Sequence, residues 1–204
     1  MSSLERSLQK NGFRLIAGVD EVGRGPLAGP VVACAVIFSF SSPLFDSTEI
    51  RDSKALTPKM REKKYWEILG CARVGIGVVS EKVIDQINIL QASLLAMRKA
   101  VLALPGSPDV LLIDGVHDLK EIPVEQVAII DGDRKSISVA SASIIAKVTR
   151  DKMMEDYDQL FPQYGFSRHK GYPTAEHLSS LREHGPSPIH RTSFEPVAKL
   201  THIS

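Results

Sequence analysis

The sequence AGVDEVGRGPLAGPVVACAV, residues 17–36, decides the fold because it joins two apolar segments through a glycine-rich turn. The first segment ends at Asp20 and Glu21, and the second is a run of small and β-branched residues typical of a buried strand. The turn lacks a Gly-Lys-Ser/Thr sequence, and its third glycine comes one residue too late for a dinucleotide-binding loop. The segment therefore predicts two neighbouring strands with two carboxylates at the end of the first.

Outside this segment, the hydrophobic pattern alternates between strands and helices. Apolar and β-branched runs predict strands at residues 14–22, 30–38, 73–79, 110–113 and 127–130. Helical spacing and helix start signals predict helices at 57–69, 88–104, 136–160 and 175–181. This order predicts an α/β fold, a mixed sheet flanked by helices, with a helical C-terminal region.

The composition is that of an ordinary globular protein, with 204 residues, 43% hydrophobic and 24% charged. This length suits one domain, and no window approaches the roughly 20 apolar residues of a membrane-spanning helix. Two cysteines are too few for a disulfide framework, and residues 1–10 lack an apolar secretory segment. We therefore expect a cytoplasmic protein with no membrane partner. Residues 134–204 hold 10 Lys or Arg and 7 Asp or Glu, which indicates either a phosphate-binding surface or a solvated helix face.

Acidic residues follow three of the predicted strands: Asp20 and Glu21, Asp114, and the pair Asp131 and Asp133. Neighbouring strands end at one edge of an α/β sheet, where four carboxylates would repel one another without a divalent cation. Oxygen ligands select Mg²⁺ or Mn²⁺, and two such ions about 3.5–4 Å apart are the usual arrangement for phosphodiester cleavage. Taken singly, each acid is more simply a solvated loop residue or a helix cap, so the prediction depends on the joint pattern.

Six ordered blocks of the chain resemble bacterial ribonuclease HII. They are AGVDEVGRGPLAGPVVACAV at 17–36, DSK at 52–54, LLIDG at 111–115, GD at 132–133, SASIIAKVTRD at 141–151 and FPQYGFSRHKGYPT at 161–174. The resemblance implies a ribonuclease H-like fold and a metal-dependent endonuclease that cuts RNA strands paired with DNA. It further implies incision 5′ to single ribonucleotides embedded in duplex DNA, products with 3′-hydroxyl and 5′-phosphate ends, and a monomer.

The resemblance also assigns the metal ligands. The family's four carboxylates fall on Asp20, Glu21, Asp114 and Asp133, which are implied to bind two Mg²⁺ or Mn²⁺ ions. The family's fourth aspartate directly follows a glycine, which favours Asp133 over Asp131. Many relatives have lysine at the position of Asp131, so we expect this extra acid to be auxiliary or neutral.

Seven residues are assigned to substrate binding by the resemblance: Gly23, Arg24, Gly25, Lys54, Lys147, Arg150 and Tyr172. The Gly-Arg-Gly backbone is expected to recognise the ribose 2′-hydroxyl, because glycines let amides approach where a Cβ would clash. The tyrosine is expected to pack against the sugar on the DNA side of the junction. The lysines and the second arginine are expected to bind phosphates. A solvated face or an intramolecular ion pair would also account for these three cations.

The resemblance covers nearly the whole chain, so we expect one domain over residues 1–204, with a catalytic core at about 12–160 and a substrate-binding region at about 161–204. Three rival functions stand beside it: a ribonuclease HIII, a non-catalytic nucleic-acid-binding module, and another polynucleotidyl transferase such as an integrase. Only 13 residues precede the strand predicted at 14–22, which disfavours the additional N-terminal domain of ribonuclease HIII. The four carboxylates argue against a non-catalytic module, and the Gly-Arg-Gly and Tyr172 blocks argue against an integrase.

Overall fold

The computed structural model describes residues 2–38, 50 and 56–201, so the expected phosphate contact Lys54 lies outside the described residues. Within the described ranges, five strands form one sheet. They are β1 (Ile16–Val22), β2 (Val31–Phe38), β3 (Ala72–Val79), β4 (Val110–Asp114) and β5 (Glu125–Ile129). Each lies within two residues of a predicted strand.

The sheet is mixed, with the strand order β3-β2-β1-β4-β5. The central strand β1 pairs antiparallel with β2 and parallel with β4. The outer pairs are β2 with β3, antiparallel, and β4 with β5, parallel. The predicted mixed sheet is therefore confirmed, and the carboxyl ends of β1 and β4 lie side by side.

Helices flank this sheet and form most of the C-terminal region. They are α1 (Ser3–Lys10), α2 (Pro58–Cys71), α3 (Glu81–Leu102), α4 (Gly132–Lys135), α5 (Ile137–Leu160), α6 (Phe166–His169), α7 (Ala175–His184) and α8 (Val197–Thr201). Helix α2 begins where predicted, because the Thr57 hydroxyl accepts a hydrogen bond from the N–H of Met60 at 3.3 Å. Helix α3 starts seven residues earlier than predicted, at Glu81. Asn88, with φ 66° and ψ 165°, interrupts it where the prediction places its start.

Both faces of the sheet are covered, and the side chains of β2 alternate between them. Ala35 packs in a core with residues of α3, whereas Cys34 and Val36 pack in a second core with residues of α5. Every residue of β2 is buried, which explains its continuous apolar sequence. A Cβ at Gly18 in β1 would overlap the backbone of Ser138, so this glycine lets α5 lie directly on the central strand.

Helix α1 forms where the sequence predicts no element. Its Glu5 side chain is fully buried. The carboxylate accepts hydrogen bonds from the Ser136 hydroxyl at 2.7 Å and from the N–H of Ser138 at 3.2 Å. Because Ser136 is also the N-cap of α5, the polar N-terminal helix is fixed by a contact with the start of a distant helix.

The C-terminal region packs against the glycine-rich turn that follows β1. The N–H of Leu27 donates to the carbonyl of Gly171 at 2.8 Å, and the N–H of Gly29 donates to the carbonyl of Ile189 at 2.9 Å. The N–H of Arg191 donates back to the carbonyl of Leu27 at 2.8 Å. The turn is therefore built against the tail. None of the described helices is long and apolar enough to cross a membrane.

Candidate active site

Three of the expected carboxylates meet at the edge of the sheet where β1 and β4 end. Asp20 and Glu21 belong to the last residues of β1, and Asp114 ends the parallel neighbour β4. Val19 is paired in register with Ile113, which places Asp20 beside Asp114. All three acids line one cavity of about 300 Å³, together with Ser143 and other residues. The convergence expected from strand ends is thus present for three acids.

Burial and mutual repulsion make this cluster of acids costly to ionise. Burial raises the pKa of Asp20 well above its ordinary value, and the neighbouring charges of Glu21 and Asp114 raise it further. Hydrogen bonds from Ser143 and from the N–H of Glu21 oppose this rise. Burial also raises the pKa of Glu21, against the lowering effect of Arg24. A bound divalent cation would relieve this repulsion.

The two aspartates around Gly132 occupy different places. The N–H of Gly132 donates to Oδ1 of Asp114 at 2.7 Å, and a Cβ on this glycine would lie 3.1 Å from the same oxygen. Asp131, in the left-handed region with φ 55°, is exposed and lines a second cavity of about 430 Å³ with Glu21 and Asp114. Asp133 is 4% exposed and lines a third cavity, beside the start of α1. The structure therefore gathers Asp131, not Asp133, into a cavity with two other acids.

The oxygen atoms at the edge where β1 and β4 end suit a hard divalent cation, although the acidic side chains there have hydrogen-bond or ion-pair partners within the protein. Among residues 2–38, 50 and 56–201, no three His, Cys, Asp or Glu side chains stand in a ready metal-binding arrangement. Asp20 accepts from the N–H of Glu21 at 2.8 Å, and Glu21 pairs with Arg24 at 3.4 Å. The available ligand atoms are the oxygens of mutually repelling carboxylates and of the Ser143 hydroxyl, and Mg²⁺ and Mn²⁺ prefer such oxygen ligands.

Two cations line the same cavity as Asp20 and Asp114. Lys147, one of the expected phosphate contacts, is there with its side chain 30% exposed and paired with Asp151 at 2.8 Å. Arg61 reaches the cavity from α2 and donates to the carbonyl of Leu56 at 2.9 Å. The sequence analysis missed Arg61, and nothing in the local pattern around it points to this cavity.

Ser143 was also missed, although the sequence holds a signal for it. It lies four residues before Lys147 on α5, so the two side chains share one face of the helix. That face lines the cavity of the carboxylates, and Ser143 hydrogen-bonds Asp20. Helical spacing from the expected lysine would have found it.

Arg150, another expected phosphate contact, does not line the cavity of the acids in this structure. Its side chain is fully buried, and its guanidinium donates to the carbonyls of Pro30, Ala28 and Lys170 at 2.9 to 3.0 Å. Burial lowers its pKa to about 10, so it stays protonated at neutral pH. Arg150 lies near Lys147 along α5, but it points into the protein and fixes backbone there.

The Gly-Arg-Gly turn and Tyr172 lie against each other beside the acids. Gly23 has φ +96°, and a Cβ there would lie 2.8 Å from the carbonyl oxygen of Pro30. A Cβ on Gly25 would lie 3.4 Å from Cε1 of Tyr172, whose residue is 42% exposed. Arg24 is exposed and pairs with Glu21. These four expected substrate residues are therefore close together beside the end of β1; Arg24, Gly25 and Tyr172 are exposed, and Gly23 is buried.

Arg191 contacts this turn from the buried side. The sequence analysis assigns it no substrate role. It is fully buried, and its guanidinium donates to the carbonyls of Gly23 at 2.6 Å, Arg24 at 3.0 Å and Gly29 at 2.8 and 3.0 Å. Burial lowers its pKa to about 9. Sequence patterns do not identify such a residue, because its partners are backbone carbonyls about 165 positions away.

A chain of buried histidines holds the backbone of Tyr172. Nδ1 of His190 accepts from the N–H of Ser187 at 2.9 Å, so its Nε2 carries the proton and donates to Nε2 of His177 at 3.0 Å. Nδ1 of His177 then donates to the carbonyl of Tyr172 at 2.9 Å. Burial lowers the pKa of His190 to about 3, and it also lowers the pKa of His177. Both rings are therefore neutral in the folded protein.

Comparisons with known proteins found a family model and several relatives that match most of the chain. The family model described as Ribonuclease HII matches residues 17–197. A ribonuclease HII of Geobacter sulfurreducens is 54% identical over 95% of this chain and 88% of its own length, and one of Lactobacillus helveticus is 52% identical over 96% and 76%. The crystal structure of the ribonuclease H2 of Pyrococcus horikoshii is 29% identical with a TM-score of 0.77, and the match covers 93% of this chain and 98% of that chain.

Proposed function

This chain belongs to the ribonuclease HII family, and from that premise we propose that it incises duplex DNA 5′ to a single embedded ribonucleotide. The family assignment itself makes it a phosphodiester hydrolase that acts on the RNA strand of RNA–DNA hybrids and depends on divalent metal. The observation that carries the finer proposal is the contact of the Gly-Arg-Gly turn with Tyr172, next to the acids at the end of β1.

We propose that Asp20, Glu21, Asp114 and Asp133 hold two divalent cations, Mg²⁺ or Mn²⁺. Such ions, when bound, lower the pKa of an attacking water and offset charge on the leaving oxygen. Asp133 is preferred to Asp131 because it follows Gly132, as the family pattern requires, and it is buried, whereas Asp131 is exposed. The products would carry 3′-hydroxyl and 5′-phosphate ends.

The residues of this chain orient the substrate around that centre. Lys147 and Arg61, which line the cavity of the carboxylates, would bind phosphates next to the scissile bond. Lys54 is proposed for the same role on the strength of its motif alone. We leave Arg150 out of phosphate binding, since its guanidinium is buried and donates to carbonyls.

Discrimination between RNA and DNA requires a probe of the 2′-hydroxyl. The backbone N–H groups of the exposed residues Arg24 and Gly25 would supply it, because no Cβ at Gly25 stands between the turn and the Tyr172 ring. Tyr172 would then pack against the sugar of the following deoxynucleotide. The buried histidines would hold Tyr172 in place, and Arg191 would hold the Gly-Arg-Gly turn in place beside it.

We further propose that the chain acts as one domain and as a monomer in the cytoplasm. Residues of the region 161–204 contact the turn after β1 directly, which supports a single unit whose core and C-terminal region work together. Cys34 and Cys71 are both free thiols, which suits a reducing compartment.

The test uses a labelled DNA duplex with one ribonucleotide, a matched all-DNA duplex, and an RNA–DNA hybrid, each with Mg²⁺, with Mn²⁺ or with a chelator. We expect metal-dependent nicking 5′ to the ribonucleotide and cleavage of the hybrid, with the all-DNA duplex intact. Hybrid cleavage without nicking of the first duplex would refute the finer proposal. Cleavage of the all-DNA duplex would refute recognition of the 2′-hydroxyl.

A further inference from the structure

We propose that Arg191 is a positioning residue for ribonucleotide recognition: it turns the carbonyls of Gly23 and Arg24 inward and thereby presents two backbone N–H groups to the ribose. The inference rests on the proposed function, since it concerns how the same turn recognises its substrate. It assigns a specificity role to the C-terminal tail, which lies 168 positions from Gly23 and does not itself reach the substrate.

The guanidinium of Arg191 contacts two consecutive peptide units of the turn. Its Nη2 donates to the carbonyl of Gly23 at 2.6 Å and its Nη1 donates to the carbonyl of Arg24 at 3.0 Å. Nε and Nη2 also donate to the carbonyl of Gly29 at 3.0 and 2.8 Å, which ties both ends of the turn to one side chain. The arginine is fully buried, so these carbonyls replace its hydration.

Holding those carbonyls fixes the direction of the amides that follow them. In a trans peptide, the C=O of one residue and the N–H of the next point in opposite directions. The inward carbonyls of Gly23 and Arg24 therefore require outward N–H groups at Arg24 and Gly25. The exposure pattern agrees, because Gly23 is buried whereas Arg24 and Gly25 are exposed.

These two amides are available to a ligand. Neither the N–H of Arg24 nor that of Gly25 donates a hydrogen bond to another residue in the described part of the chain, whereas the N–H of Leu27 already donates to Gly171. Two consecutive free N–H groups form a concave donor pair that suits an oxygen acceptor. They adjoin the Tyr172 ring, which closes one side of the space above Gly25.

An arginine suits this task better than a lysine. The planar guanidinium carries several donors in a fixed fork, so it can hold three carbonyls in set directions at once. An ammonium is a point donor on a flexible stem, so a lysine would satisfy some carbonyls without fixing the plane of each peptide. Arg191→Lys should therefore keep the charge and most of the packing but loosen the two amides.

If Arg191 only stabilised the fold, any substitution that weakens the C-terminal tail would reduce ribose recognition as much as a substitution of Arg191. Asp85 provides the matched control. Its carboxylate accepts hydrogen bonds from the N–H and hydroxyl groups of Thr192 and Ser193, the two residues after Arg191. Asp85→Asn loosens the tail next to Arg191 without changing the guanidinium. It should lower the melting temperature but keep the discrimination between ribose and deoxyribose.

The experiment measures the Kd of wild type, Arg191→Lys, Arg191→Gln and Asp85→Asn for two duplexes with Ca²⁺ in place of the active metal. One duplex carries a single ribonucleotide and the other is all DNA. For the arginine variants we expect the ratio of the two Kd values to fall at least fivefold, while the Kd for all-DNA duplex changes less than twofold. Incision by the same variants with Mn²⁺ should lose at least tenfold in kcat, with an unchanged half-saturating Mn²⁺ concentration.

The outcomes separate the positioning role from the proposed function. A wild-type protein that binds both duplexes equally overturns the proposed recognition of ribose. If the wild type prefers the ribonucleotide duplex and the folded arginine variants prefer it equally, only the role of Arg191 is overturned. The same conclusion follows if Asp85→Asn loses as much of this preference as the arginine variants do. If the arginine variants do not fold, ¹⁵N amide spectra of the wild type test the two amides that Arg191 orients: signals of Arg24 and Gly25 that shift equally with both duplexes overturn the role of Arg191, because these amides then do not contact the ribose.

Discussion

Replacing Gly25 by alanine separates recognition of ribose from stability of the fold. A Cβ at Gly25 meets Cε1 of Tyr172 at 3.4 Å, an ordinary contact, and the backbone there does not require glycine. Gly→Ala at such a position stabilises a protein by about 0.4–1 kcal/mol, through the unfolded state. The same methyl group occupies the space above the two exposed amides, so the substrate meets it as an overpacked contact.

The cost to incision follows from that overlap. Overpacking by one carbon costs about 1–3 kcal/mol, which corresponds to a loss of roughly 5- to 160-fold in kcat/KM at 1.36 kcal/mol per tenfold. Gly23→Ala provides the contrast, because φ +96° and the carbonyl of Pro30 at 2.8 Å make its Cβ a strain on the fold itself. We expect it to destabilise the protein by at least about 2 kcal/mol, a fall in melting temperature of about 4–8 °C.

The assay combines thermal unfolding with initial rates on the single-ribonucleotide duplex. Gly70→Ala is the matched glycine control, since its Cβ would meet nothing within 4 Å on helix α2, far along the chain from the turn. It should leave kcat/KM unchanged and raise stability slightly. The reasoning is refuted if Gly25→Ala incises within twofold of wild type, or if its loss of activity is matched by a loss of stability.

Three further predictions concern the acids and the buried histidines. Asp114→Asn should lower cleavage more than about 100-fold while Kd for the hybrid stays within a few fold, because it removes a metal ligand and not a phosphate contact; near-normal turnover would contradict the assignment. Asp133→Asn should lower kcat at least tenfold more than Asp131→Asn does. A larger loss in Asp131→Asn would show that the fourth metal ligand is Asp131, the exposed aspartate that shares a cavity with Asp114. The pKa of His190, lowered by burial to about 3, lies below the ordinary 6.5, so between these values the unfolded chain binds the extra proton and stability falls on acidification. Urea unfolding should show a loss of about 1.4 kcal/mol per pH unit below 6.5 from this residue, and His190→Asn should reduce that slope.

The strands and the acids at their ends could be predicted because the information is local. A run such as β2, buried on both faces, has to be apolar throughout, and parallel neighbours such as β1 and β4 have to end at one edge. The helix α1 could not be predicted, because its buried Glu5 depends on Ser136 and Ser138, more than 130 positions away. The first seven residues of α3, 81–87, were missed, and the non-helical Asn88 separates them from the part of the helix that was predicted.

Helical spacing predicts the face on which a residue lies and not the partners of its side chain, as Arg150 illustrates. Lys147 and Arg150 are three residues apart on α5, yet one lines the cavity of the acids and the other turns to the carbonyls of Pro30 and Ala28. From the sequence alone, a charged side chain at such a helix position fits either a phosphate contact or a contact with buried backbone carbonyls. Spacing alone does not choose the fourth metal ligand either, since a glycine between two aspartates fixes their separation and not which one faces Asp114; the proposal of Asp133 depends on the family pattern and on its burial.

The glycine-rich turn explains why two arginines are buried beside it. In the proposed function the turn brings its backbone close to a sugar, and its glycines leave it few side chains with which to pack against the protein. Its carbonyls are then the available anchors, and arginine is the side chain that reaches several at once. Arg191 and Arg150 together donate to the carbonyls of Gly23, Arg24, Ala28, Gly29 and Pro30. Under the proposed function, the burial of these charges follows from recognising ribose with backbone, and losing either arginine should weaken recognition more than metal binding.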